Sequence, residues 1–222
     1  MTSAPLVHLV DDDDAVRDAL GVMFGARGFR VRAYASATQC LAGLGRRPTG
    51  CLVADLRLPD MNALALLASL RARGSSLPAV VITAAAGAPL AVEAMAAGAS
   101  DLLEKPFDDE ALLVSVRRAL ATTRGGKARE AETRAVLQRF AALGEAEREV
   151  LAGIAQGRPS PEIAAALGLE LRAVELHRAN IMAKANVATL VELVRMSAIA
   201  SAATRAPTPS RRRSNPRGAA AA

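Results

Sequence analysis

Two rhythms of apolar and polar residues alternate along the first half of this chain. Short, mostly apolar segments occur at LVHLV (6–10), Phe29–Ala33, CLVAD (51–55), PAVVIT (78–83) and SDLLE (100–104). Each is followed by a stretch whose apolar positions recur at helical spacing: about Asp14 to Ala26, a stretch ending near Leu44, Asn62 to Arg73, Pro89 to Ala97 and Asp108 to Thr122. Five strand-then-helix units in series predict a doubly wound α/β fold: a five-stranded, flavodoxin-like parallel sheet with helices on both faces. The short connections require right-handed crossovers, and such sheets hold ligands beyond the carboxyl ends of their strands.

The pattern changes after Gly125-Gly126. Residues 127–142 read as a helical lead-in, and from Gly144 to about Ile199 only helical periods occur, enough for four short helices. The chain therefore divides into an α/β domain (1–123), a linker (124–142), an all-α domain (143–204) and a tail (205–222). The tail, RAPTPSRRRSNPRGAAAA, has five arginines and no acid. Its Pro/Ser/Arg/Ala composition cannot build a core. Two readings of it stay open: a solvated tail without a role, or a non-specific attractor of phosphates.

Composition narrows the function classes. With one Tyr, four Phe and no Trp, Ala, Leu and Val must fill the core. Recognition of single strands by base stacking is disfavoured for the same reason. No apolar run reaches the roughly 20 residues that cross a bilayer, and the N-terminus lacks a signal-peptide pattern. Cys40 and Cys51 form no close metal-type pair. The expectation is a cytoplasmic protein with no membrane partner. The net charge of +6 is uneven, being net negative over 1–123 and strongly positive in the tail.

The candidate chemistry sits where the predicted strands end. Asp11 and Asp12 close the first strand and Asp55 closes the third. If those strands are neighbours, the three carboxylates converge and repel one another. A divalent cation relieves that repulsion, and an all-oxygen set with room for water suits Mg²⁺. Asp13 and Asp14 fall at the start of the first helix, where they can cap amides and complement the helix dipole. The four-aspartate run alone equally fits a plain helix start. It is not an EF-hand loop, because Val16 and Val22 stand where Gly and Glu are needed. Thr83 ends the fourth strand and Lys105 follows the fifth. Taken singly, each is ordinary. Together, three carboxylates, a hydroxyl and an ammonium at one sheet edge form a phosphoryl-binding set, with Asp55 as a nucleophile able to form an acyl phosphate. A haloacid-dehalogenase-type phosphatase would need a second Asp two residues after the nucleophile; Arg57 occupies that place. His8, on a buried strand, reads as a packed and hydrogen-bonded side chain.

With VDDDD, ADLRLPDM, VITA and EKPF in this order, residues 5–122 resemble the receiver domain of two-component response regulators. The resemblance implies Asp55 as phosphoacceptor and Asp11 and Asp12 as acidic Mg²⁺-site residues. It further implies the Arg57 main-chain carbonyl as a third metal ligand, Thr83 as switch hydroxyl, Lys105 as phosphate partner and a cis Lys105–Pro106 bond. Two positions depart from the family. Ala63 replaces a usual glycine, and Leu102 replaces an aromatic whose ring couples to the switch hydroxyl.

In the second domain, GEAEREVLAGIAQG starts with acids and ends in Gly157. SPEIAAALG has Ser160 as N-cap, Pro161 as first helical residue and Gly168 as terminator. Two short helices joined by a tight turn fit either a helical hairpin or a helix-turn-helix. In LRAVELHRANIMAKA, Val174, His177 and Ile181 form a buried-side stripe. The other face offers Arg172, Glu175, Leu176, Arg178, Ala179 and Lys184, and a recognition helix would set Arg178 and Lys184 near phosphates. The segment 143–199, with AEREVL, EIAAALGL, AVELHRANIMAK and LVRM in order, resembles the LuxR-type output domain. VELHRAN together with AVEAMAAGASDLLEKPF resembles the FixJ branch. Glu170, Ala173 and Ser160-Pro161 depart from that family's usual residues.

The resemblance implies a non-enzymatic transcription regulator. A sensor histidine kinase phosphorylates Asp55, the face formed by residues 88–103 pairs with a second copy, and the homodimer binds double-stranded promoter DNA beside RNA polymerase. DNA contacts fall on Arg172, Glu175, Leu176, His177, Arg178 and Lys184. The alternative is a constitutive DNA-binding regulator whose receiver no longer switches.

Overall fold

The computed structural model describes residues 4–124 and 126–205. Beyond Arg205, the basic tail lies outside the described residues. The first lobe runs β1 (Leu6–Val10), α1 (Asp14–Ala26), β2 (Arg30–Tyr34), α2 (Ala37–Gly43), β3 (Cys51–Asp55), α3 (Ala63–Ala72), β4 (Ala79–Thr83), α4 (Ala88–Ala96), β5 (Asp101–Glu104) and α5 (Asp109–Arg124). All strand pairs are parallel, in the order β2-β1-β3-β4-β5. The doubly wound five-stranded sheet expected from the apolar rhythm is present, with element ends shifted by a residue or two.

The order follows from which strands can be buried on both faces. β4 is buried throughout, and β3 is buried up to Asp55. β2, whose arginines face water, takes an edge. On one side of the sheet, Val7, Leu9 and Val53 meet Phe24 of α1 and Leu112 and Val116 of α5. On the other, Val10, Leu52, Ala54 and Val81 meet Leu66, Leu67 and Leu70 of α3. His8 is buried in β1, as the sequence suggested. Its Nε2 lies 3.1 Å from the Thr49 carbonyl and its Nδ1 3.3 Å from the Tyr34 hydroxyl, and burial lowers its pKa.

The second lobe contains α6 (Gly126–Ala141), α7 (Glu145–Ala155), α8 (Ser160–Leu167), α9 (Leu171–Ala185) and α10 (Leu190–Arg205). Four helices follow Gly144, as the periodicity predicted. One capping expectation is corrected: Pro159, not Ser160, is the N-cap of α8. Ser160 is already helical, no side chain caps this end, and Pro161 sits in the first turn, where its missing N–H costs nothing. Gly168 ends α8 in the left-handed conformation, φ +65°. Glu147 holds the base of the lobe together. Its carboxylate accepts the Gly144 N–H at 2.7 Å and the Lys184 ammonium at 2.7 and 2.8 Å, linking the start of α7 to the end of α9. Arg195 of α10 pairs with Glu132 of α6 at 2.6 Å.

The lobes share a seam. α10 packs on α4 and β5, and the α7–α8 turn meets the start of α4: a Cβ at Gly157 would lie 3.2 Å from the Pro89 Cα. One apolar cluster therefore runs from Leu52 and Val81 in the sheet through Ala91, Ala94 and Leu102 to Val191 and Val194 of α10.

Candidate functional site

The register of β1 beside β3 brings Asp11 and Asp55 to one corner at the carboxyl edge of the sheet. Lys105, one residue past β5, reaches across to both. Its Nζ donates to Asp55 Oδ1 at 2.6 Å and lies 3.6 Å from Asp11 Oδ2. Asp55 Oδ2 accepts the Arg57 N–H at 2.7 Å, and Asp11 Oδ1 accepts the Asp13 N–H at 3.0 Å. Arg17 anchors the end of β1 by donating to the Asp11 carbonyl at 2.7 Å. Burial raises the Asp11 pKa, opposed by the Asp13 amide and by Lys105. Burial lowers the Lys105 pKa, but the hydrogen bond and charge of Asp55 outweigh it, so the net shift is upward.

Of the four aspartates, Asp13 and Asp14 take the helix-start places expected of them. Asp11 is buried in the pocket and Asp12 lies exposed at the mouth. Asp13 is the N-cap of α1, accepting from the Ala15 and Val16 amides, and Asp14 opens that helix in an ion pair with Arg17.

The pocket fits a small hard cation. Asp11 Oδ2 is shut from solvent and accepts no hydrogen bond, so an acceptor is left over beside Asp55. Among the described residues, no three His, Cys, Asp or Glu side chains close on an ion by themselves. The three converging carboxylates expected from the sequence are thus not assembled: Asp11 and Asp55 come together at the Lys105 ammonium, and Asp12 is exposed.

Thr83 ends β4 with its hydroxyl donating to the Ala85 carbonyl at 3.0 Å and accepting the Ala85 N–H at 3.3 Å. The Lys105–Pro106 bond is cis. Leu102, at the place of the family's aromatic, is 2 % exposed within the cluster that joins the two lobes. Ala63, in place of glycine, starts α3 without a left-handed backbone, and its N–H donates to the Leu56 carbonyl at 3.0 Å.

One supporting residue escaped sequence reasoning. Asp60, in the loop after Asp55, caps the next-door helix α2: its oxygens accept the Ala37 N–H at 3.1 Å and the Thr38 N–H at 2.7 Å. The Thr38 hydroxyl and these amides hold its pKa down at about 2, from an ordinary 3.8. A depressed carboxylate stabilises the fold above its unfolded pKa and loses that effect as pH falls through the folded value. The melting-temperature gap between the parent chain and Asp60→Asn should therefore be full above about pH 4 and close towards pH 2. A gap that stays constant across that range would refute the cap.

The second lobe presents α9. Val174, Ile181 and Ala185 are buried, while Arg172, Leu176, Ala179, Asn180 and Ala183 are exposed. Glu175 and Arg178 pair with each other at 3.2 Å. His177 is half-buried, with its Nδ1 enclosed and unpartnered. Lys184, expected near phosphates, has its ammonium on Glu147. Glu170 is the N-cap of α9 without a side-chain cap bond, as expected from the loss of a serine there. Leu171 and Asn180, also exposed, were not singled out in the sequence. No single helix among the described residues is long and apolar enough to cross a membrane.

Comparison with known proteins agrees with both halves. The family profile "Response regulator receiver domain" matches residues 7–117, and "Bacterial regulatory proteins, luxR family" matches residues 141–197. The chain is 42% identical to the transcriptional regulatory protein FixJ of Azorhizobium caulinodans over 89% of this chain and 93% of that protein. It is 37% identical to the C4-dicarboxylate transport transcriptional regulatory protein DctR of Rhodobacter capsulatus, over 86% of this chain and 98% of that one. Among solved structures, full-length FixJ from B. japonicum superposes with a TM-score of 0.52 at 34% identity, covering 90% of this chain and 99% of that one.

Proposed function

Because this chain belongs to the FixJ-like two-component response regulators, a receiver joined to a luxR-type DNA-binding domain and not an enzyme, we propose that a partner histidine kinase phosphorylates Asp55 and that two phosphorylated copies then bind promoter DNA and regulate transcription. The observation that carries this reading is the Lys105 ammonium 2.6 Å from Asp55 and 3.6 Å from the buried Asp11 Oδ2, an oxygen that accepts no hydrogen bond.

In the transfer, a carboxylate oxygen of Asp55 attacks the phosphorus of a kinase phosphohistidine. The P–N bond breaks, an acyl phosphate forms and the imidazole leaves. Lys105 holds the nucleophile in place and then pairs with a phosphoryl oxygen. Asp11, Asp12 and Asp55, with the Arg57 carbonyl, would hold Mg²⁺, which would supply charge stabilisation for the transferred group. Thr83 exchanges its Ala85 partner for a phosphoryl oxygen, which moves the β4–α4 connection.

That movement bears on α4 and β5, the face assigned to pairing between copies. Here α10 covers it, which favours a resting chain whose output lobe occupies the pairing face. Phosphoryl contacts would bias the equilibrium toward the open form, exposing that face and freeing α9. A charge placed at the seam should imitate them. Pro89→Glu, at a first-turn site that tolerates Glu, should raise the DNA affinity of unphosphorylated protein severalfold, measured by fluorescence anisotropy. Unchanged affinity would count against the seam as the restraint.

Genomic footprinting with and without phosphodonor tests the whole reading, which predicts more occupied sites with it. Leu102 favours one competing account, a receiver that no longer switches, since no ring is there to follow Thr83. Full promoter activation by Asp55→Asn would support that account. The proposed partners are the kinase, duplex promoter DNA, RNA polymerase at that promoter and a second copy of the chain.

A further inference from the structure

Between Asp18 and Asp55 the chain has no acidic residue, yet it carries Arg27, Arg30, Arg32, Arg46 and Arg47, in a lobe whose net charge is negative. Arg27 is answered by Glu110 of α5. The other four are exposed and form no ion pair among the described residues. Folding gathers them on one face of the sheet edge. Val7 and Leu9 of β1 and Val31 of β2 point to the α1–α5 side. By alternation Arg30 and Arg32, in register with Leu6 and His8, point to the opposite side. The α2–β3 loop crosses that same side. It starts beside Gly43, where a Cβ would lie 2.6 Å from the Tyr34 ring, and ends with the Thr49 carbonyl 3.1 Å from His8 Nε2. Arg46 and Arg47 lie in the middle of this loop. Asp60, the acid that touches α2, is at the other end of that helix and is committed to its first amides.

This face lacks what a protein or lipid partner requires. None of the five large apolar side chains exposed among the described residues lies between residues 27 and 50. Protein interfaces need a buried apolar or aromatic centre, and membrane surfaces need apolar anchors. Uncompensated guanidinium groups on a polar surface match the phosphates of duplex nucleic acid, which are bound through charge without regard to sequence. Resting on the DNA-binding reading above, we propose that the receiver carries a second DNA contact: Arg30, Arg32, Arg46 and Arg47 bind the phosphate backbone outside the half-site held by the output lobe. The position of β2 allows this. It is the edge strand furthest from β5, so the seam with α10 leaves it uncovered. Four strand spacings, about 19 Å, separate the two edges. When two receivers pair through α4 and β5, their β2 edges face away from each other, outward along the duplex. The contact adds affinity only where duplex continues past the site.

The test varies the flanks and leaves the site alone. Sites are recovered from a random pool with full-length protein treated with acetyl phosphate and Mg²⁺. Each is then rebuilt with flanks shorter than half a helical turn or longer than one and a half turns. For the parent chain, long flanks should steepen the slope of log affinity against log salt by about 0.9 for each phosphate engaged, up to about 3.6 for four arginines. A variant carrying Arg30→Gln, Arg32→Gln, Arg46→Gln and Arg47→Gln should bind the short duplex as the parent does and gain nothing from the flanks. The four side chains are exposed, so the fold should survive, with circular dichroism as the control. The same four positions changed to Lys keep the charge and should keep the flank effect. A parent chain with one slope on both duplexes, or a Gln variant that still responds to the flanks, would overturn this contact while leaving DNA binding by the output lobe intact. Poly-glutamate supplies the competing partner. If it binds the parent more tightly than a duplex of equal charge, and the Gln variant loses that preference, the face belongs to an acidic protein and the assignment is wrong. If the pool yields no bound duplex, the DNA-binding reading itself fails and this contact falls with it.

Discussion

Asp55→Asn protein incubated with acetyl phosphate and Mg²⁺ is expected to gain no phosphoryl mass, while the parent chain gains one group that maps to Asp55. The amide is isosteric with the carboxylate but is not a useful nucleophile. Loss of the attacking group should slow transfer by at least about a thousandfold. The fold should survive, because Lys105 keeps the Asp11 carboxylate 3.6 Å away and the like-charge pressure of Asp55 on Asp11 is removed. Intact-mass spectrometry, with circular dichroism as the folding control, separates loss of chemistry from loss of structure. A phosphoryl group appearing on Asp11 or Asp12 in the variant would move the acceptor and undo the assignment of the pocket.

Gly50→Ala should be among the most destabilising single substitutions in the receiver. Gly50 has φ +106°, a region open to glycine alone, and a Cβ there would sit 2.2 Å from the Leu6 carbonyl oxygen. Backbone cannot swing aside like a side-chain tip, so β1 and β3 must separate where they first pair. We expect a loss of about 3 kcal/mol or more, part backbone strain and part clash. Gly28→Ala is the matched control: φ is +82° but nothing lies within 4 Å, so only strain of about 1–2 kcal/mol applies. Urea unfolding of the two variants isolates the clash. Because β1 and β3 carry Asp11 and Asp55, the acyl-phosphate yield of Gly50→Ala should fall as well. Equal stabilities for the two variants would show that the strands yield easily at this point.

The parts of this molecule readable from sequence are those set by local pattern. The placing of Asp11, Asp55, Thr83 and Lys105 at one sheet edge was legible because each closes a strand or follows one, and a parallel sheet delivers strand ends to one edge. The caps at Asp13 and Gly168 were legible for a similar reason, since their chemistry acts within one turn. What failed was non-local. Asp60 looks like an ordinary loop acid until α2 is set beside it. Gly50 is one of several glycines before a strand, and the clash that adds to its backbone strain exists because Leu6 lies opposite. The contact of the Lys184 ammonium with Glu147, 37 positions earlier, is equally invisible to local pattern. Ser160 was misplaced by one residue because Ser before Pro satisfies both the cap and the first-turn rules, and the helix begins one residue earlier than the cap rule implies. The seam between α10 and α4 could not be read at all. An apolar helix face states that it will be covered, not by what.

That seam has a thermodynamic corollary. Lifting α10 from α4 and β5 wets an aliphatic surface that water disfavours, and the cheapest remedy is the same surface on another molecule. On the proposal that phosphorylated copies pair through this face, undocking and self-association are linked equilibria, and the threshold for activation should track how many copies of the chain a cell holds as well as how many carry phosphate.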